Sequence, residues 1–193
     1  MASLILGIMG KKRSGKDTFA ARLVAEHGFT RIGFADALKD VALELDPIVD
    51  VIELGRERGV EEVRLSDVLG PELDWEVAKE LPEVRRILQA LGVAVRNHVG
   101  EDVWVRAAMA KADAVPGPVV ITDVRFPNEA DFIRHSGGQL VRITRHGLEA
   151  ADEHISETAL DGRAADFLVT NNGTVGALHS KADVVARLSS GDM

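Results

Sequence analysis

Short runs of apolar and β-branched residues recur along the chain, and they alternate with longer segments whose apolar positions repeat every three to four residues. The short runs predict β-strands and the longer segments predict amphipathic helices. The predicted strands cover residues 3–9, 30–35, 119–124, 139–145 and 167–171. The predicted helices cover residues 16–26, 37–45, 83–99, 103–112, 128–135 and 175–188. Because strands that alternate with helices usually pair in parallel, the pattern predicts a three-layer α/β fold, with a five-stranded parallel sheet and helices on both faces.

Residues 46–82 do not follow this alternation. The segment is charged, is interrupted by glycine and proline, and has no clear period. We therefore expect one domain over residues 1–193, in which residues 46–82 form an insertion over the mouth of the sheet.

Composition narrows the classes of function. With 193 residues and 46% hydrophobic content, the chain can bury a core of its own. The formal net charge of -8 disfavours a nucleic-acid polymer or an anionic membrane as partner, because both attract basic surfaces. The chain has no cysteine, which excludes disulfides and thiolate metal sites and favours a cytoplasmic setting. The apolar run at residues 3–9 is too short to span a membrane.

The segment GKKRSGK, from Gly10 to Lys16, matches the phosphate-binding pattern G-x-x-x-x-G-K between a predicted strand and a predicted helix. In this motif, backbone N–H groups and the helix N-terminus hold phosphate oxygens, and the lysine reaches the β and γ phosphates. The alternative is a glycine-rich turn with a solvated basic patch, but the flanking strand and helix favour phosphate binding. The residues expected to contact a bound triphosphate are Gly10, Arg13, Ser14, Gly15, Lys16, Asp17 and Thr18.

Two features of the loop depart from the common pattern. The residue after Lys16 is Asp17 instead of serine or threonine, and Thr18 follows one position later. Thr18 is expected to touch the phosphates or a metal-bound water, whereas Asp17 either binds Mg²⁺ through water or braces neighbouring cations. Lys12 and Arg13 add positive charge, which favours a cleft that holds two phosphate-bearing substrates.

Two other predicted strands end in charged residues. Asp123 follows the run VVIT, where a carboxylate can reach Mg²⁺ across from the loop, although any strand can end in a solvated aspartate. Arg125 lies at the same strand end, and its alternative role is a surface ion pair with Glu129. Asp36 and Lys39 follow the preceding strand. They either contact an acceptor or, in the case of Asp36, only cap a helix.

The predicted helix over residues 83–99 carries two stripes of side chains. The apolar stripe consists of Val84, Leu88, Leu91 and Val95. Arg85, Gln89 and Arg96 form a second stripe beside it. Two guanidinium groups and an amide suit a cleft wall that binds phosphate and a base, and the alternative is ordinary solvated side chains. Trp104 is, by pattern alone, a core aromatic residue.

Six segments in this order resemble the bacteriophage deoxynucleoside monophosphate kinases: GKKRSGKDT, VRRILQALG, DVW, TDVRFPNEAD, RHGLEAADEHISE and VTNNGT. The family loop also reads G-K-D-T, so the resemblance makes Asp17 a family variant. It implies a P-loop NTPase fold and Mg²⁺-dependent transfer of the γ-phosphoryl group of ATP to a deoxynucleoside 5′-monophosphate, giving the diphosphate for DNA precursor synthesis. We expect the protein to act in the cytoplasm, which for a viral protein is the cytoplasm of the host cell. Whether the chain forms a homodimer stays open.

The residue patterns and the resemblance together assign a role to each candidate residue. Catalysis is assigned to Lys12, Arg13, Lys16 and Arg125. Arg145, Asn171 and Asn172 join the loop residues in ATP binding, with residues 170–174 as the adenine loop. Acceptor binding is assigned to Lys12, Asp36, Lys39, Arg64, Arg85, Gln89, Arg96, Trp104 and Asp123. Metal contacts are assigned to Asp17, Thr18 and Asp123. Residues 145–160 are expected to form a lid-like cover, and residues 46–82 the acceptor-binding insertion.

Other functions stay open at this point. One is a different P-loop small-molecule kinase, such as a dephospho-coenzyme A kinase or a ribonucleotide kinase. Another is a nucleotide-dependent switch, which the extra cations of the loop disfavour. The segment TNNGT is not the N-K-x-D of a guanine-specific GTPase, which favours ATP. A direct nucleic-acid binder is the least favoured, because of the acidic charge balance.

Overall fold

The structure is a computed structural model that describes residues 4–54, 59–148, 159–160 and 162–191. It divides into two compact units, of which the first combines Met1–Phe34 with Val105–Met193 and the second is Ala35–Trp104. In chain order the described elements are β1 (Ile5–Met9), α1 (Lys16–His27), β2 (Thr30–Ile32), α2 (Asp36–Leu45), β3 (Ile48–Glu53), β4 (Val60–Arg64), α3 (Leu65–Leu69), α4 (Trp75–Ala78), α5 (Pro82–His98), α6 (Val103–Ala114), β5 (Val119–Ile121), α7 (Pro127–His135), β6 (Gln139–Thr144), β7 (Phe167–Thr170) and α8 (Val175–Ser189).

The first unit contains a five-stranded sheet in the order β2-β5-β1-β6-β7. Every pair of neighbouring strands in it is parallel. This confirms the predicted fold class, and each predicted strand and helix is present with small shifts at its ends. Among the described residues, no helix has both the length and the apolar character needed to cross a membrane.

The central strand β1 is buried along its whole length. Its side chains alternate between two cores, because successive residues of a strand point to opposite faces of the sheet. Ile5 and Met9 join the core to which α6 and α7 contribute. Leu6 and Ile8 join the core to which α1 and α8 contribute. A parallel sheet covered on both faces requires this continuous apolar run, and the result is the predicted three-layer arrangement.

The second unit has a small core of its own, formed by Ala42, Val49, Leu65, Leu69, Ala78 and Val84. In this unit α2 packs on α5, and β3 pairs with β4 in an antiparallel hairpin. The segment predicted as an insertion, residues 46–82, therefore belongs to a larger unit that begins with α2 and includes all of α5.

A cluster of charged side chains joins α1 to α8. Arg22 donates Nε–H to Oδ1 of Asp183 at 2.9 Å and Nη2–H to Oδ2 at 3.1 Å. The Nε2 atom of His27 lies 2.8 Å from the same Oδ1 atom. The hydrogen bond from Arg22, followed by that from His27, lowers the pKa of Asp183 from 3.8 to about 2. The carboxylate of Asp183 is therefore stabilised in the folded state.

We predict that Asp183→Asn removes a stabilising contribution that depends on pH. Because the folded pKa lies below the unfolded value, the contribution is complete above the unfolded pKa of 3.8 and is lost as the pH falls towards about 2. The difference in free energy of unfolding between wild type and variant should thus be constant near neutral pH and shrink at the acid end. Urea titrations from neutral to acid pH measure this difference, with Asp113→Asn, an exposed residue of α6, as the control. A difference that stays the same at every pH would contradict the prediction.

Candidate active site

The loop between β1 and α1 requires glycine at two positions. Gly10 and Gly15 have φ values of 151° and 102°. A Cβ atom at Gly10 would overlap the carbonyl oxygen of Ile143, and one at Gly15 would overlap the side-chain amide of Asn171. Backbone conformation and close packing therefore both exclude a side chain at each glycine of the G-x-x-x-x-G-K pattern.

Arg13 adopts a left-handed conformation, with φ of 64°, although it carries a side chain. This conformation costs an L-residue roughly 1–2 kcal/mol relative to the right-handed region. The residue is exposed and lines a cleft together with Lys16. The chain thus places a cation at a loop position whose backbone favours glycine.

Lys16 folds back onto the loop. Its Nζ donates to the carbonyl oxygens of Gly10 at 2.7 Å and Lys11 at 2.8 Å. Ser14 is 1% exposed, and within the described part of the chain its Oγ atom has no hydrogen-bond partner. A buried hydroxyl without a partner costs about 1–3 kcal/mol. A phosphate oxygen in the loop would accept a hydrogen bond from this hydroxyl and would attract the Lys16 ammonium.

A cleft of about 290 Å³ adjoins the loop. Its lining residues are Arg13, Gly15, Lys16, Asp17, Thr18, Arg145, Asn171, Gly173, Val175 and Leu178. The structure thus brings together predicted ATP-binding residues from three distant parts of the sequence. Val175 and Leu178 were missed by the sequence analysis, because they belong to the ordinary apolar periodicity of α8. They give the cleft an apolar wall next to its cations.

The two asparagines after β7 hold the cleft together. Asn171 donates its backbone N–H to the carbonyl oxygen of Thr144 at 2.7 Å and its Nδ2–H to that of Ser14 at 2.9 Å. The Oδ1 atom of Asn172 accepts the backbone N–H of His146 at 2.8 Å. The loop predicted to bind adenine is thereby tied to the phosphate loop and to the end of β6. Contacts of these side chains with a base stay a prediction.

The end of β5 carries the two other charged residues predicted in this unit. Oδ1 of Asp123 accepts the backbone N–H of Phe34 at 2.9 Å, which links the ends of β5 and β2. Glu129 is buried, and its Oε2 atom accepts the backbone N–H groups of Arg125 at 2.6 Å and Phe126 at 2.9 Å. Glu129 thus caps the N-terminus of α7, while the role predicted for the exposed Arg125 side chain is not tested by these contacts.

A metal contact in this unit would involve few protein atoms. Among the described residues, no group of three or more His, Cys, Asp or Glu residues could hold a metal ion. Mg²⁺ needs only one or two protein oxygens when phosphates and waters supply the rest. The hydroxyl of Thr18 and the carboxylates of Asp17 and Asp123 have this oxygen chemistry, and the first two residues line the cleft. Exposed Asp17 also lies in the first turn of α1, where the helix dipole favours negative charge.

Within the second unit, α5 has the two predicted stripes. Val84 is buried, and Leu88 and Leu91 pack against the same core. Arg85 and Gln89 are exposed, and Arg96 is half-buried. The Nε–H group of Arg85 donates to the carbonyl oxygen of Lys79.

The predicted acceptor residues of the second unit that lie outside α5 have contacts within that unit. Half-buried Trp104 donates its Nε1–H to the carbonyl oxygen of Gly92 at 3.3 Å, and the Lys39 ammonium lies 5.6 Å from the centroid of the Trp75 ring. Arg64 donates Nη1–H to the carbonyl oxygen of Asp46 at 3.0 Å. Asp36 is the first residue of α2, whereas Ala35 occupies the cap position. The helix-cap alternative for Asp36 is therefore not supported.

The predicted lid, residues 145–160, is only partly described, because residues 149–158 lie outside the described residues. Arg142 anchors the end of this segment and the chain after it, since its Nη2–H groups donate to the carbonyl oxygens of Leu160 and Arg163, both at 2.8 Å. The sequence analysis missed Arg142. The signal that could have identified it is a charged residue between the apolar residues of strand β6.

Comparison with known proteins decides the family. The sequence profile of deoxynucleotide monophosphate kinases matches residues 73–182, which is more than half of the chain. A protein of Acanthamoeba polyphaga mimivirus, provisionally named a deoxynucleotide monophosphate kinase, is 31% identical over 92% of this chain and 93% of its own. The chain belongs to the deoxynucleotide monophosphate kinase family. It is accordingly a phosphotransferase and a nucleotide kinase, and the family resemblance predicted from the sequence is confirmed.

Other family members match a smaller share of the sequence. The deoxynucleotide monophosphate kinase of Escherichia phage RB69 is 32% identical over 54% of this chain and 45% of its own length. The corresponding enzyme of Enterobacteria phage T4 is 31% identical over 51% of this chain and 43% of its own. A solved structure, a dephospho-CoA kinase from Campylobacter jejuni, aligns over 98% of both chains at 16% identity with a TM-score of 0.46, a level of similarity from which no substrate follows.

We predict that Asn171→Asp weakens nucleotide binding. The substitution replaces an N–H donor with a second acceptor facing the Ser14 carbonyl oxygen. Loss of one hydrogen bond costs about 1 kcal/mol, and repulsion between the two oxygens adds to it. We expect a melting temperature lower by several degrees and an ATP affinity roughly tenfold weaker, measured by thermal unfolding and calorimetry. Asn97→Asp, on the exposed face of α5, makes the same chemical change away from the loop. Equal effects of the two variants would contradict the assigned contact.

Proposed function

We propose that this protein transfers the γ-phosphoryl group of ATP, with Mg²⁺, to a deoxynucleoside 5′-monophosphate and releases ADP and the deoxynucleoside diphosphate. One observation carries the proposal: in a chain of this kinase family, a phosphate loop places Arg13 and Lys16 in one cleft with Arg145. The cations meet where the loop glycines and the start of α1 offer backbone N–H groups to phosphate oxygens.

The chemistry requires positioning and charge more than proton transfer. The bond between the γ-phosphorus and its bridging oxygen breaks as an oxygen of the acceptor phosphate bonds to that phosphorus. Lys16 would exchange its bonds to the loop carbonyls for the β and γ phosphates. Exposed Lys12 and Arg13 would gather the negative charge on the transferring group. Mg²⁺, held by Thr18 with Asp17 or Asp123, would neutralise the phosphate oxygens.

The loop after β7 favours ATP over GTP as the donor, and the adjoining cleft suits a purine nucleotide. The loop after β7 reads TNNGT, which lacks the N-K-x-D pattern of guanine-specific sites. The adjoining cleft has an apolar wall from Val175 and Leu178, which suits a purine ring. Asn171 and Asn172 hold the loop in place, which leaves its backbone groups to hydrogen-bond the edge of the base.

The proposed acceptor contacts are Lys12 and Asp123 of the first unit and a larger set of residues in the second unit. Exposed Arg85 and Gln89, with half-buried Arg96, form a stripe that can bind a phosphate through guanidinium groups and a base through an amide. Arg64, Asp36, Lys39 and Trp104 stay predicted acceptor contacts on the same unit.

The proposal is tested by supplying the purified protein with Mg-ATP and separate deoxynucleoside and ribonucleoside monophosphates, and measuring diphosphate products. We expect transfer to deoxynucleoside monophosphates. Lys16→Ala should lower kcat at least about 100-fold, because it removes a charge from the transferring group, whereas Lys111→Ala on α6 should leave kcat unchanged. ATP hydrolysis that is indifferent to the monophosphate would indicate a switch. Transfer only to dephospho-coenzyme A or to ribonucleotides would indicate another small-molecule kinase.

We predict that Arg13→Gly separates stability from activity. Glycine relieves the left-handed conformation but gains freedom in the unfolded chain, so the free energy of unfolding should change by no more than about 1 kcal/mol. Loss of the guanidinium should lower kcat at least roughly tenfold. Leu73→Gly is the matched control, because exposed Leu73 also has a positive φ, of 50°, but no charge. If both variants kept full kcat, Arg13 would have no role in the transfer.

A further inference from the structure

We propose that Arg22, His27 and Asp183 are positioning residues for ATP, because they fix α8 against α1 and so hold the shape of the cleft between the starts of these two helices. We call the three side chains the α1–α8 clamp. None of them is among the described residues that line the cleft. The inference rests on the proposed use of ATP as donor and extends it to residues outside the cleft.

The two helices supply opposite parts of the cleft at their N-terminal ends. Residues 16–18 begin α1, Val175 and Leu178 lie in the first turn of α8, and all of them line the cleft. A Cβ atom on Gly15 would lie only 3.1 Å from Cδ2 of Leu178. The start of α1 is thus already in close contact with α8. A shift of α8 along α1 would therefore change the space that is left for the nucleotide.

Apolar packing between the helices does not fix their alignment by itself. Phe19 and Leu23 of α1 share one core with Leu178, Ala182 and Val185 of α8. Hydrophobic burial holds the helices together, but it is non-directional. A guanidinium that forms two hydrogen bonds to one carboxylate specifies both a distance and an orientation. The clamp therefore supplies the directional contact that the apolar core lacks.

The clamp lies close enough to the cleft to affect it. Its three contacts converge on the carboxylate of Asp183, two from Arg22 at 2.9 and 3.1 Å and one from His27 at 2.8 Å. Asp183 follows Leu178 by five positions, and Arg22 follows Lys16 by six. At a rise of 1.5 Å per residue, these separations are about 8–9 Å along each helix. Because a helix moves as a rigid element over so short a length, a change at the clamp reaches the cleft.

Calorimetry and kinetics of Asp183→Asn and Arg22→Gln test the inference. Each variant removes the charged pair, so we expect ATP affinity to fall about threefold to tenfold, the usual effect of a residue that acts on a site from a distance. KM for ATP should rise by a similar factor, whereas KM for the deoxynucleoside monophosphate should not change. A purely structural ion pair would behave differently. Lower stability would reduce the fraction of folded enzyme and hence the apparent kcat, but it would leave KM for ATP unchanged.

The double variant Arg22→Gln/Asp183→Asn shows whether the two residues act through one contact. It should bind ATP about as weakly as either single variant, because each single change already breaks the same bonds. Losses of affinity that multiply in the double variant would mean that the two residues act independently, and would overturn the inference.

Two controls isolate the clamp. Glu26→Gln removes the other carboxylate partner of Arg22, at 3.1 Å, but this ion pair lies within α1, so ATP affinity should stay at the wild-type value. Asp131→Asn breaks an ion pair with Arg163, and neither residue belongs to α1 or α8, so it measures the effect of a lost ion pair alone.

Wild-type ATP affinity in the folded Asp183→Asn protein would overturn the inference, as would an equal loss of affinity in Glu26→Gln or Asp131→Asn. If the wild-type protein itself did not bind ATP, the proposed function would fail first. ATP binding measured without an acceptor separates these two failures.

Discussion

The close approach of the phosphate loop to the ends of β6 and β7 is the constraint on which the rest of the first unit depends. Strand β1 lies beside β6, and the carboxyl ends of all the strands meet at one edge, because the sheet is parallel. At this edge a Cβ atom on Gly10 would overlap the Ile143 carbonyl oxygen, and the Asn171 amide donates a hydrogen bond to the Ser14 carbonyl oxygen. The loop has its shape because glycine and asparagine fill positions that larger residues cannot.

The meeting of these segments at the sheet edge also explains how an acidic chain can have a cationic cleft. The chain is acidic overall, with a net charge of -8, yet its substrates are anions. The sheet edge gathers Arg13, Lys16 and Arg145 from separate parts of the chain into one cleft. A local cluster of cations can therefore bind anions without a basic surface elsewhere on the protein. In the proposed reaction, the substrate phosphates would meet a locally positive field at this cleft.

Sequence alone predicted those parts of the structure that depend on local pattern. The strands and helices of the sheet follow from apolar periodicity, and the phosphate loop from glycine and lysine spacing. The hairpin of β3 and β4 was not predicted, because a register shift between Ile48 and Asp50 and several exposed acidic residues obscure its alternation. The bonds of Arg142 and Asn171 were not predicted either, since each joins segments that meet only after the sheet has formed.

Arg13 departs from local preference, because the loop has a side chain where the backbone favours glycine. Its conformation is left-handed and its side chain is exposed. This choice is unfavourable for folding. Backbone strain of this kind persists where the surrounding structure fixes it, and it is concentrated at functional sites. The proposed transfer supplies a reason for the strain, because a cation is needed where negative charge develops on the transferring phosphoryl group. Backbone conformation and charge chemistry are independent physical grounds, and both support the proposed role of Arg13.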